Sequence, residues 1–150
     1  RLLKEIDSLI ENKIIEDKVI AQIGYSKYKP VNYEFKEMIG YDQMDNLVRE
    51  ADVVITHGGP GSIFHPIQYG KVPIVVPRNP DFNEHVDNHQ ILFVKTLEEN
   101  RKIIGVYDID KLENVIKNYS ELAKECEVNY GGNNDFVEKF SSLIEESFKL

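Results

Sequence analysis

The sequence predicts an α/β domain, a parallel sheet covered by helices on both faces, and two observations carry that prediction. The short strands are apolar from end to end, as in Val53-Val54-Ile55 and Pro73-Ile74-Val75-Val76-Pro77. A strand that meets water on neither face needs no polar alternation, and parallel sheets are buried in that way. Stretches with apolar residues three and four apart separate these strands, which is the strand-helix rhythm of the class.

The elements follow in order. Leu2, Leu3, Ile6, Leu9 and Ile10 recur at helical spacing, so the chain opens inside an amphipathic helix. A doubly wound domain ordinarily begins with a strand, so a first strand is expected to be missing ahead of Arg1. Val19 to Gly24 reads as a buried strand, 25–30 as a polar loop, and Tyr33 to Ile39 as a weaker strand. Met44, Leu47, Val48 and Ala51 share one face of a helix over 41–51. Asp52 to Thr56 is a strand, Gly61 to Tyr69 a helix that Gly70 stops, and 73–77 another strand. After a loop over 78–84, a helix is predicted from Glu84 or His85 to about Glu98, then a strand over 103–107 and a helix over 110–124. Gly131 to Asn134 breaks the chain before a last helix, whose stripe is Phe136, Phe140, Leu143, Ile144 and Phe148. Two fates suit that stripe: packing on its own domain or docking on a partner.

Composition bounds the function. The 150 residues fit one domain spanning 1–150. Eighteen basic against 26 acidic side chains give a formal charge of −8, with no basic stripe, which argues against a nucleic-acid partner. The lone Cys126 rules out an internal disulfide framework and fits a reducing compartment. No apolar run approaches the ~18–20 residues of a membrane span, and no signal peptide opens the chain. The expected location is cytoplasmic.

The chemistry concentrates after the strand ending at Thr56. Gly58, Gly59 and Gly61 allow a ligand to approach the backbone, and Ser62 stands where a helix begins. Free N–H groups and the partial positive charge at such a helix start suit a phosphate or diphosphate. The run is not a Walker loop, since it lacks the lysine and the spacing, and it lacks the Gly-x-Gly-x-x-Gly dinucleotide fingerprint. Two further loops should gather at the same sheet end, 24–30 and 78–87. The latter carries Arg78, Asp81, Glu84, His85 and Asp87, with His89 and Gln90 beyond. Two histidines four apart suggest a metal, yet the glutamate of His-Glu-x-x-His is replaced by Val86. A polar helix start that contacts sugar or ribose hydroxyls is the favoured reading, and capping in solvent is the plainer one. His57 suits two roles equally, a general base or a structural hydrogen-bonding group at the strand end.

Three blocks at this joint spacing resemble a known family: 51–63, Gly70 to Arg78, and Glu84 to Gln90. Together they are similar to the C-terminal domain of glycosyltransferase family 28. The likeness runs from Arg1 to about Ile116. It points to the small subunit of split, two-chain enzymes of capsule, exopolysaccharide or dolichol-linked sugar synthesis. The resemblance implies a Rossmann-like fold, the C-terminal half of a GT-B glycosyltransferase. It implies a UDP-sugar as donor substrate, no other cofactor, and no metal at the diphosphate. Gly58, Gly59, Gly61 and Ser62 match the diphosphate loop, and His89 and Gln90 match residues that touch the donor sugar. Glu84 and His85 join that sugar or ribose group, and His57 and Glu84 are the catalytic candidates. Phe35, Met38 and Ile39 lie where similar enzymes hold the nucleobase; Gln22, Gly24, Tyr25 and Ser26 match a second donor loop. The family's ribose-binding acidic residue, three beyond the serine, is His65 here.

The implied reaction is an inverting transfer of a hexose, galactose or N-acetylglucosamine, to a lipid-linked saccharide acceptor. A membrane-associated, acceptor-binding partner subunit would complete the cleft and hold the chain peripherally at the membrane. The competing expectations are a non-catalytic nucleotide-sugar-binding module that enhances a partner transferase, and a fragment of a nucleotide-sugar epimerase.

Overall fold

The structure, a computed structural model, describes residues 1–82, 84 and 88–127. Helix α1 (Leu2–Glu11) precedes strands β1 (Ile20–Gln22) and β2 (Glu34–Lys36) and helix α2 (Tyr41–Glu50). Strand β3 (Ile55–Thr56), helix α3 (Pro60–Gln68) and strand β4 (Ile74–Val75) follow. Helix α4 (His89–Glu99), strand β5 (Ile104–Gly105) and helices α5 (Leu112–Lys117) and α6 (Tyr119–Lys124) complete the described part.

All strand pairing is parallel. Ile20 stands opposite Glu34 in the β1–β2 pair, and β4 lies between β3 and β5, with Ile74 opposite both Ile55 and Ile104. Among the described residues no ladder joins the pair to the triplet. The single expected sheet is therefore divided in its hydrogen bonding, and a shared core joins its parts. That core takes Leu2, Ile6 and Leu9 of α1, with Val19 and Tyr33 beside the pair and Ile55, Ile74 and Val76 of the triplet.

The alternation along β4 shows why its residues are apolar throughout. Ile74 and Val76 point to the face covered by α1, α5 and α6, whereas Val75 meets Ile63 of α3 and Phe93, Val94 and Leu97 of α4. Ile74 and Val75 of β4, and Val76 just after it, have 0 % exposure. Burying such a side chain contributes about 1.5–3 kcal/mol. The chain is a Rossmann-like α/β domain with helices on both faces of its parallel sheet.

Two helix predictions change. The predicted helix from Glu84 or His85 begins only at His89, so Glu84 stands on the loop before α4. The helix predicted over 110–124 starts at Leu112 after a short 3-10 turn and is interrupted at Asn118. There the Asn118 side chain donates to the Asn114 carbonyl at 2.8 Å, a local bond that competes with helix continuation. Tyr119 then turns inward and its O–H donates to the Val72 carbonyl at 2.6 Å. The predicted last helix and its apolar stripe lie outside the described residues.

Candidate functional site

The glycine turn is held by its backbone. Buried Thr56 ends β3, and its Oγ1 accepts the Gly58 N–H at 3.1 Å. Gly58 has a φ of +91°, a region that side chains resist, and a Cβ there would stand 3.1 Å from the Gln90 amide. Gly59 is the N-cap of α3 and Pro60 its first residue, a position where the missing proline N–H costs nothing. The first bond back along the helix runs from Ile63 N–H to the Gly59 carbonyl at 3.1 Å. The N–H groups of Gly61 and Ser62 precede it and have no carbonyl within the helix to reach. No side chain caps this helix start among the described residues. A Cβ added at Gly59 or Gly61 meets nothing within 4 Å, so the approach is open. Donors without acceptors at the positive end of a helix can take an anion.

The side chains around the turn bond to the protein itself. His57 Nδ1–H donates to the Val76 carbonyl at 2.8 Å, and Nε2 lies 2.9 Å from Glu84 Oε2. A neutral ring can donate to only one of these acceptors, and the imidazolium donates to both. Burial pushes the His57 imidazole below its ordinary value, against the upward pull of the Val76 carbonyl and Glu84. The other carboxylate oxygen of Glu84 accepts from Arg1 Nη2 at 2.8 Å, Arg1 Nε at 3.1 Å and the Asn79 N–H at 3.1 Å. Burial would raise Glu84, but Arg1, the Asn79 N–H and His57 outweigh it and hold the carboxyl below the usual glutamate range. Gln90 is buried and closes the turn from the other side. Its amide nitrogen donates to the Gly58 carbonyl, and its Oε1 accepts the Arg78 N–H at 2.7 Å.

The second loop lies at the ends of β1 and β2. Gln22 Oε1 accepts the Ile39 N–H at 2.9 Å, tying the two strand ends together. Gly24 takes a φ of +57°, Tyr25 is fully exposed, and Ser26 Oγ accepts the Tyr28 N–H at 3.2 Å. Of the three residues expected near a nucleobase, Met38 is exposed, Ile39 is buried and Phe35 is half-buried.

His65 is drawn toward α2. Its Nε2 stands 2.8 Å from Asp45 Oδ1, which also accepts from the Tyr69 hydroxyl, and its ring stacks on Tyr41. Those bonds from Tyr69 and His65 hold the Asp45 carboxyl below its ordinary value. His89 opens α4, half-buried, and His85 lies outside the described residues. The structure thus gathers His57, Glu84 and Gln90 about the glycine turn and places His65 against the second helix. Sequence reasoning missed Arg1 and Asp7, both on or beside α1. Asp7 accepts the N–H groups of Val31 and Asn32, each at 2.8 Å, and the Tyr28 hydroxyl. Partners 83 and 24 residues away leave no local pattern to find.

Fold and turn together define a class, a Rossmann-like α/β domain with an anion-receptive helix start at the strand ends. The chain belongs to the glycosyltransferase family 28 C-terminal domain family, which it matches over residues 1–146. It is also similar to the UDP-N-acetylglucosamine transferase subunit ALG13 of Yarrowia lipolytica (strain CLIB 122 / E 150). The two are 29% identical over 125 residues, covering 71% of this chain and 61% of the relative. The chain therefore spans less than two thirds of the length of the curated relative it matches. Among the described residues, no helix is long and apolar enough to cross a membrane.

Proposed function

We propose that the chain is the donor-binding subunit of a UDP-sugar-dependent, inverting glycosyltransferase. The observation that carries this reading is the open, uncapped start of α3 behind Gly58 and Gly59, within a domain matched by the family over 1–146. The diphosphate of the donor would bind the N–H groups of Gly61 and Ser62 with no metal and no further cofactor. The name of the yeast relative supports N-acetylglucosamine as the transferred hexose, ahead of galactose.

In the reaction, an acceptor hydroxyl oxygen forms a bond to the anomeric carbon as the bond to the diphosphate oxygen breaks, and configuration inverts. The hydroxyl proton passes to a base, and the electron pair leaves with UDP. Charge on the departing diphosphate grows toward the transition state, where preoriented N–H donors stabilise it most. Both ring nitrogens of His57 and both oxygens of Glu84 have protein partners, which supports an orienting role for these two candidates. The base is then assigned to the acceptor side, on a membrane-associated partner subunit. That partner would present a lipid-linked saccharide in polysaccharide biosynthesis and hold this chain at the cytoplasmic membrane surface.

Calorimetry tests the donor reading directly. UDP-N-acetylglucosamine is expected to bind more tightly than UDP-galactose or UDP-glucose, and UDP alone is expected to bind. Sugar transfer is expected only when the partner subunit is present. Absence of any UDP binding would remove the donor assignment.

A further inference from the structure

We infer that Arg1 is a positioning residue of the donor site, holding Glu84 so that its carboxylate meets the His57 ring beside the glycine turn. The inference rests on the reading of that turn as the diphosphate cradle. Arg1 stands at the N-cap of α1, far along the chain from the loop it binds. Its guanidinium makes three kinds of contact there: Nε and Nη2 donate to Glu84 Oε1, Nη2 donates to the Pro77 carbonyl at 3.2 Å, and Cζ lies 4.7 Å from the Phe82 ring centroid. Arginine suits this task because one rigid group supplies several donors and a face for an aromatic ring.

The pair is shielded. Arg1 and Glu84 side chains are each only 12% exposed, so solvent weakens their attraction less than at an open surface. With Oε1 fixed by Arg1 and the Asn79 N–H, the remaining oxygen is left aimed at His57 Nε2. His57 in turn is tied to β4 through the Val76 carbonyl and directly precedes Gly58. A chain of contacts therefore runs from α1 through the loop after β4 to the first residue of the turn. Arg1 is not itself among the expected ligand contacts, and its effect passes through Glu84.

The titration of His57 separates positioning from bare charge, because the two predict opposite signs. The charged groups facing the ring are Glu84, from the loop, and Arg1, from α1; the Val76 carbonyl faces it from β4. Arg1's positive charge by itself pushes the imidazole down, so losing only that charge would raise its titration point. Glu84 pulls the imidazole up by charge and by hydrogen bond, so losing a positioned Glu84 lowers it. The full chain is titrated by NMR with labelled histidine, comparing wild type, Arg1→Gln, Glu84→Gln and the double variant. Arg1→Gln and Glu84→Gln are each expected to lower the His57 titration point. Within the Glu84→Gln background, Arg1→Gln should lower it no further. Arg1→Lys keeps the charge without the guanidinium fork, and a smaller drop is expected; it stands in if Arg1→Gln does not fold.

UDP binding, measured by calorimetry, should weaken about tenfold in Arg1→Gln, the scale of one lost charged hydrogen bond. An unchanged or raised His57 titration point in both Arg1 variants overturns the inference, as does unchanged UDP affinity where the wild type binds UDP. If the wild type binds no UDP, the donor reading fails, and the His57 titration alone decides the role of Arg1.

Discussion

At Gly61 and Ser62 the start of α3 has no side-chain cap among the described residues, whereas Glu84 and Gln90 on the facing segment bond to the protein itself. The sequence predicts that both regions contact the ligand, the turn through its backbone N–H groups and the facing segment through its side chains. Their geometry divides the work instead. The turn offers donors, and the facing side chains fix where those donors stand. Backbone donors on a helix start are rigid and need no rotamer to be frozen when an anion arrives. Side chains that hold them must themselves be immobile, which is what buried Gln90 and the shielded Arg1–Glu84 pair provide.

The largest expected effect comes from breaking the donor half. Gly59→Asp puts a carboxylate at the N-cap of α3, where aspartate is among the best caps and differs from glycine by only a few tenths of a kcal/mol. Stability in urea should therefore hold or rise slightly. A second negative charge about 4 Å from a diphosphate costs roughly 4 kcal/mol at an effective dielectric of ~20. UDP affinity by calorimetry should fall by about 100-fold or more. An unchanged affinity in this well-folded variant would mean that the anion does not sit at the turn.

Breaking the holding half should act on stability first. Gln90→Leu keeps the apolar volume and leaves the Gly58 carbonyl and the Arg78 N–H without their amide partner. An unsatisfied buried group costs about 1–3 kcal/mol, and part of that returns through water at the half-buried Arg78. A loss of about 2 kcal/mol is expected from the urea midpoint, with the slope unchanged. A neutral result would mean that the turn keeps its shape without Gln90.

The difference between the two regions also explains what the sequence disclosed. Glycines, a proline and a serine after an apolar strand announce a turn and a helix start, because those residues are chosen for local backbone reasons. Apolar strands such as Ile74-Val75-Val76 announce burial on both faces for an equally local reason. That Glu84 and Gln90 stand near the glycine turn was legible, but the direction of their side chains was not. A carboxylate or amide looks the same in sequence whether it faces a sugar or the protein. The helix expected from Glu84 or His85 starts only at His89, because the Glu84 carboxylate bonds to Arg1, Asn79 and His57 on the loop before it. The interruption at Asn118 had a local signal in the asparagine itself, which the apolar spacing around it concealed.

The smallest effect expected is on the second flanking loop, which α1 also holds. Asp7 is buried, and burial by itself would raise its carboxyl. The Tyr28 hydroxyl and the N–H groups of Val31 and Asn32 outweigh that and hold it below the ordinary 3.8. A depressed carboxyl contributes stability above its unfolded value and loses that contribution as pH falls through the folded value. Asp7 therefore has no effect on the pH dependence between pH 5 and 8, and its contribution disappears only below the ordinary aspartate range. Asp7→Asn should be less stable than wild type at neutral pH, and the gap should close as the solution is acidified below 3.8. Urea unfolding at a series of pH values reads that convergence. A gap that stays constant into acid would show that packing, and not the ionised carboxylate, ties the loop to α1. In that case α1 would hold its two loops by different means, by charge at Arg1 and by shape at Asp7.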